Sequence, residues 1–169
     1  METLEHIPVT LDLEQITKKH HLKREGESRH VQALVEEAQS LIRARAVYRA
    51  CYIESRLENG IVIEGNMLRS RVLCRNLESV ERVFPYVVTI GDHIEERARG
   101  CNDILEQYYL DTIGNVALTA VRTNLRDRLR SKYALDGMSI MSPGSLKDWD
   151  LKEQRLLFSI LGDVEAAIG

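Results

Sequence analysis

The residues whose types and spacing could do chemistry fall into a few groups. His93 stands beside Asp92 and ahead of Glu95 and Glu96. An imidazole in that setting can give or take a proton near neutral pH, although no second catalytic group is placed near it, and a surface histidine is the plainer reading. Arg122, Arg126 and Arg130 recur every four residues. That spacing puts three guanidinium groups on one helix face, where they could grip phosphate or an acidic partner protein, or simply face water. Asp111 lies among Tyr108, Tyr109, Leu110 and Ile113. A carboxylate there could bind a ligand amine or accept a hydrogen bond from the backbone amide of a neighbouring strand.

A further candidate is the stretch from Ile140 to Trp149. Pro143 pre-sets φ and Gly144 permits positive φ, so Ser142, Pro143, Gly144 and Ser145 read as a tight turn of type II. Trp149, the chain's single tryptophan, could stack on a ligand ring or pack beside a helix start. Cys51, Cys74 and Cys101 are widely spaced and odd in number. That argues against a disulfide framework and fits a reducing compartment. Cys51 and Cys74 sit among apolar neighbours and read as small buried residues. No CxxC or HxxxH spacing suggests zinc, and His20 and His21 lie in a lysine-rich segment. No nucleophile elbow, P-loop, zinc-protease motif or dinucleotide-binding glycine pattern occurs.

Several elements must position these groups. Thr10 is placed to cap a short helix over Leu11–His20, followed by a charged loop over Lys18–Glu25. Val31, Leu34, Val35, Ala38, Leu41 and Ile42 recur at three and four and predict a helix from Ser28. Between Ala46 and Glu64 the period changes to two, with turn chemistry at Glu58, Asn59 and Gly60, which predicts a hairpin. Gly65 and Asn66 end it, and Met67–Leu77 reads as a short helix.

Val80–Ile90 reads as a largely buried strand, in which Pro85 favours an edge position, a bulge or a late start. A short charged helix over Asp92–Arg99 follows. Asp103 then opens a helix that keeps its apolar period almost to Tyr133, roughly 45 Å at about 1.5 Å per residue. Gly114 inside it predicts a close neighbour or a break. Asp150 caps the last helix, Glu153 completes a capping-box-like start, and Gly162 ends it.

The chain has 169 residues, a net charge of −3 and 29 % charged residues. This is about one domain's length with a real core and no basic field for nucleic acid. No segment approaches the roughly 20 apolar residues of a membrane span, and the N-terminus has no apolar leader. The expectation is a cytoplasmic α+β protein with a mixed or antiparallel sheet, a long central helix and flanking helices.

Taken in order, Val88, Thr89, Ile90, Gly91, then Leu110, Asp111, Thr112, Ile113, Gly114, then Ser142, Pro143, Gly144, and finally Trp149 with Glu153, Gln154, Leu157 and Phe158 form a pattern. It resembles the activation (reactivation) domain of vitamin B12-dependent methionine synthase in its short stand-alone form, over about Val9 to Gly162. The resemblance implies a single C-shaped domain over residues 1–169 that binds S-adenosylmethionine (AdoMet). It also implies a cobalamin-carrying methionine synthase or other corrinoid methyltransferase as partner, and a flavodoxin-like electron donor. The partner's cobalamin, once oxidised, would be reductively methylated, a role in methionine biosynthesis in which the cofactors supply the chemistry and the protein supplies orientation. Ser142, Pro143, Gly144, Ser145 and Asp111 are the implied cofactor-binding positions.

At two positions the sequence departs from the family motif. The family has an arginine four residues before the glycine and a tyrosine after it; Ile140 and Ser145 stand there. A ligand-binding acid of the full-length synthases falls near Thr119. Family members also continue past the last helix into further strands, where this sequence ends at Gly169. The alternative reading is a non-catalytic module that docks to a corrinoid protein without AdoMet.

Overall fold

The computed structural model describes residues 1–12, 14, 16 and 25–169, with only the backbone of residues 25–28. Most of the helix expected over Leu11–His20, and the loop expected over Lys18–Glu25 except its last residue, lie outside the described residues; Glu25 already belongs to the helix expected only from Ser28. What is described there shows Glu14 and Ile16 helical. The cap is Asp12, whose carboxylate accepts the Glu14 amide at 2.9 Å, so Thr10 does not fill that role.

The chain divides into two compact units. One comprises Met1–Thr3, Val47–Val87 and Asp136–Gly169, the other Leu4–Ala46 and Val88–Leu135. The second unit is built on helices. Helix α1 (Glu25–Leu41), α2 (His93–Arg99) and α3 (Ile104–Lys132) bury the faces that their apolar periods mark out. Val31, Leu34 and Ala38 of α1, and Ile113, Ala117, Val121, Leu125 and Leu129 of α3, are all but inaccessible to water. Each large aliphatic side chain buried this way contributes about 1.5–3 kcal/mol. Asp103 caps α3 by accepting the Leu105 amide at 2.8 Å. The helix runs unbroken through Gly114, where an added Cβ would sit 3.7 Å from Ile90 Cδ1 and 3.8 Å from Ile94 Cγ2. Those are ordinary contacts, so neither the break nor the close approach expected there occurs.

A polar network joins the three helices. Arg97 of α2 binds Glu37 of α1 at 2.7 Å and Glu106 of α3 at 2.5 Å, with His30 at 3.7 Å from Glu106. The Arg97 guanidinium holds the Glu106 carboxyl below its ordinary range, and the two carboxylates hold Arg97 in its charged form.

The first unit is built on short strands. Strand β1 (Cys51–Tyr52) pairs antiparallel with β2 (Arg82–Val83). Strands β3 (Ser55–Leu57), β4 (Gly60–Ile63) and β5 (Asn66–Arg69) form an antiparallel meander, Leu57 opposite Gly60 and Ile63 opposite Asn66. The β3–β4 hairpin turns at Glu58 and Asn59, as the turn residues indicate, but its first arm is only Ser55–Leu57; the alternating residues expected in that arm are divided between Arg45–Tyr48 and β1. Residues 66–69, however, are a strand, and the helix (α4, Arg71–Asn76) starts only after Ser70. The physical reason is a two-residue turn: Glu64 and Gly65 both hold positive φ, 49° and 70°. That geometry folds a strand back on itself with the native twist, and Leu68 is thereby buried opposite Ile61.

Pro85 splits the expected strand 80–90 in two, because it cannot donate to a ladder. Strand β6 (Tyr86–Thr89) starts immediately after it and is half-buried throughout, less than expected. It belongs to a sheet with β7 (Glu2–Leu4) and β8 (Arg45–Tyr48), in which β8 is the middle strand.

Around the meander, Cys51, Ile61, Ile63, Leu68, Leu73, Leu77, Trp149 and Ile160 form one core cluster. Val47, Leu161, Val164 and Ile168 form another. The last elements are a 3₁₀ turn (Leu151–Glu153), α5 (Gln154–Leu161) and a short α6 (Val164–Ile168) capped by Asp163. Helix α6 is five residues long, too short for periodicity to reveal. Among the described residues no helix is long and apolar enough to cross a membrane.

Candidate functional site

The Ser142–Ser145 segment adopts the turn its residues demand. The Ser145 amide donates to the Ser142 carbonyl at 2.9 Å, and Gly144 holds φ +84°. Proline at the first central position and a positive-φ glycine at the second define type II. The Ser145 hydroxyl closes the loop further, donating to the Ser142 carbonyl at 2.6 Å and accepting the Ser142 amide at 3.0 Å. The Gly144 amide donates to the Trp149 carbonyl at 2.7 Å.

Every backbone donor of residues 142–145 is therefore consumed inside the loop, proline having none. The Pro143 and Gly144 carbonyls accept no hydrogen bond among the described residues.

Two carboxylates clamp this loop to the meander. Asp148 accepts the Ser70 hydroxyl at 2.6 Å and the Arg71 amide at 2.7 Å, with the Val72 amide at 3.4 Å. These are the orphan donors at the start of α4, where a negative charge is favoured. The Ser70 hydrogen bond, then those amides, hold the Asp148 carboxyl below the ordinary range. Ser70 in turn caps α4 by accepting the Leu73 amide at 2.8 Å.

Glu153 does not form the expected capping box. Its carboxylate reaches across to accept the Arg69 amide at 2.9 Å, while Asp150 caps the 3₁₀ turn through the Lys152 amide at 2.8 Å. Neither long-range role shows in local spacing, though Ser70 three residues before Leu73 is a legible cap signature.

Trp149, 5 % exposed, lies in the core cluster against Ile160 and its neighbours. It packs the loop rather than stacking on a ligand, and its indole Nε1 has no hydrogen-bond partner. Ile140 is an exposed apolar side chain. Leu151 underlies Gly144: a Cβ added there would come within 3.3 Å of Leu151 Cδ1.

Asp111 belongs to the other unit. It sits on the exposed face of α3, and its carboxylate has no hydrogen-bond partner among the described residues; the expected bond to a strand amide does not form. Of the implied cofactor-binding residues, the structure joins Ser142, Pro143, Gly144 and Ser145 in one turn and leaves Asp111 on a separate helix. Further along α3, Thr119 lines a groove of about 320 Å³ with Thr10, Val116, Ala120, Thr123, Asn124 and Asp127. The Thr119 hydroxyl donates to the Asn115 carbonyl at 2.9 Å and accepts from Arg122 at 3.1 Å.

His93 is an exposed residue whose Nδ1 lies 2.9 Å from Asp92 and 3.7 Å from Glu96. Those three could in principle hold a cation, yet clusters of exposed acids are common without one. Arg126 pairs with the adjacent Asp127 at 3.0 Å. All three cysteines are free thiols, with only Cys51 buried. Desolvation, followed by the charge of Glu64, pushes the Cys51 thiol up to about 11.

No family model matches the chain, and no curated protein matches it at a significant level.

Proposed function

We propose that the protein is an accessory component of the methionine synthase reactivation type. It acts in the cytoplasm beside a separate corrinoid protein that carries cobalamin, with AdoMet as methyl source and a flavodoxin-like protein as electron donor. The observation that carries this reading is the Ser142–Pro143–Gly144 turn, standing in the right order after the Gly91 and Asp111 segments. Its clamped geometry supports the reading, because a rigid loop held by Asp148 and Glu153 can orient a ligand. When bound, AdoMet would supply the sulfonium methyl group; the residues here would orient it and exclude water. Equilibrium binding of labelled AdoMet to the purified chain tests this. Saturable binding is expected, and its absence removes the cofactor from the proposal.

A second reading, a docking module that holds a corrinoid protein without AdoMet, is favoured by Ile140 and Ser145. Ile140 cannot bind a carboxylate by charge, and the Ser145 hydroxyl is already spent inside the turn. This reading expects association with a cobalamin-loaded corrinoid protein that is indifferent to added AdoMet.

A further inference from the structure

We draw no further inference here: the strongest candidate, the exposed apolar patch of Ile104, Leu105 and Tyr108 at the start of α3, carries nothing, because nothing among the described residues shows what covers it.

Discussion

The Asp148 carboxylate accepts the Ser70 hydroxyl at 2.6 Å across 78 positions of sequence, and through that contact the Ser142–Ser145 turn is tied to the start of α4. The pair matters because Ser70 also caps α4. One carboxylate thus serves both the loop and the helix.

A pH dependence follows from that contact. The Asp148 pKa is lowered in the folded chain, first by Ser70 and then by the amides it accepts. Between the folded and unfolded values the unfolded chain binds more protons, so stability rises with pH there. The contribution is fully present above the ordinary carboxylate range and is lost as pH falls through the depressed folded value. Asp148→Asn should be less stable than wild type at neutral pH, with the gap closing under acid. Urea midpoints across an acid series check this. A gap that does not change with pH would mean that the carboxylate's charge plays no part.

Gly144→Ala should destabilise the chain by about 1–2 kcal/mol, because a left-handed backbone is costly for any residue with a Cβ. The added methyl would also press on Leu151 Cδ1 at 3.3 Å. Equilibrium denaturation reads the loss. If AdoMet binds, its affinity should fall with the turn.

Gly114→Ala should act in the opposite direction. Its Cβ would meet Ile90 and Ile94 at 3.7 and 3.8 Å, and alanine is favoured over glycine inside a helix by about 1 kcal/mol. A gain of up to about that size in unfolding free energy is the expected result; a loss would show that the neighbours cannot accept the methyl group.

Cys51 should resist thiol reagents in the native state at pH 8, since burial and Glu64 push its pKa up to about 11 and the thiolate is the reactive form. Cys74 and Cys101 are only partly covered. Titration with a chromogenic disulfide should show faster reaction at those two, and labelling of Cys51 only on unfolding. Mass spectrometry of the labelled sites settles the order.

Local chemistry by itself determined a good deal. The long α3 was legible because its apolar period persists over many turns and Asp103 and the terminal basic residues mark its ends. Helix α1 was legible for the same reason, and the 142–145 turn because proline and glycine set their own dihedrals. The β3–β4 turn followed from Glu58, Asn59 and Gly60, whereas the alternating run before it was divided between β8 and β1. Each of these is fixed within a few residues of chain, where steric and capping preferences act directly.

Tertiary contacts decided the rest. Residues 66–69 have helix-compatible spacing, but the Glu64–Gly65 turn delivers them to a strand edge, and burying Leu68 opposite Ile61 outweighs the local preference. Glu153 is well placed for a capping box, yet the Arg69 amide, distant in sequence, takes its carboxylate. Asp111 has apolar neighbours in sequence and could have met a strand amide; only the packing of α3 shows that it faces water, because a helix turns adjacent residues to different sides. Local preferences of about 1 kcal/mol or less yield wherever burial or a charged hydrogen bond offers more.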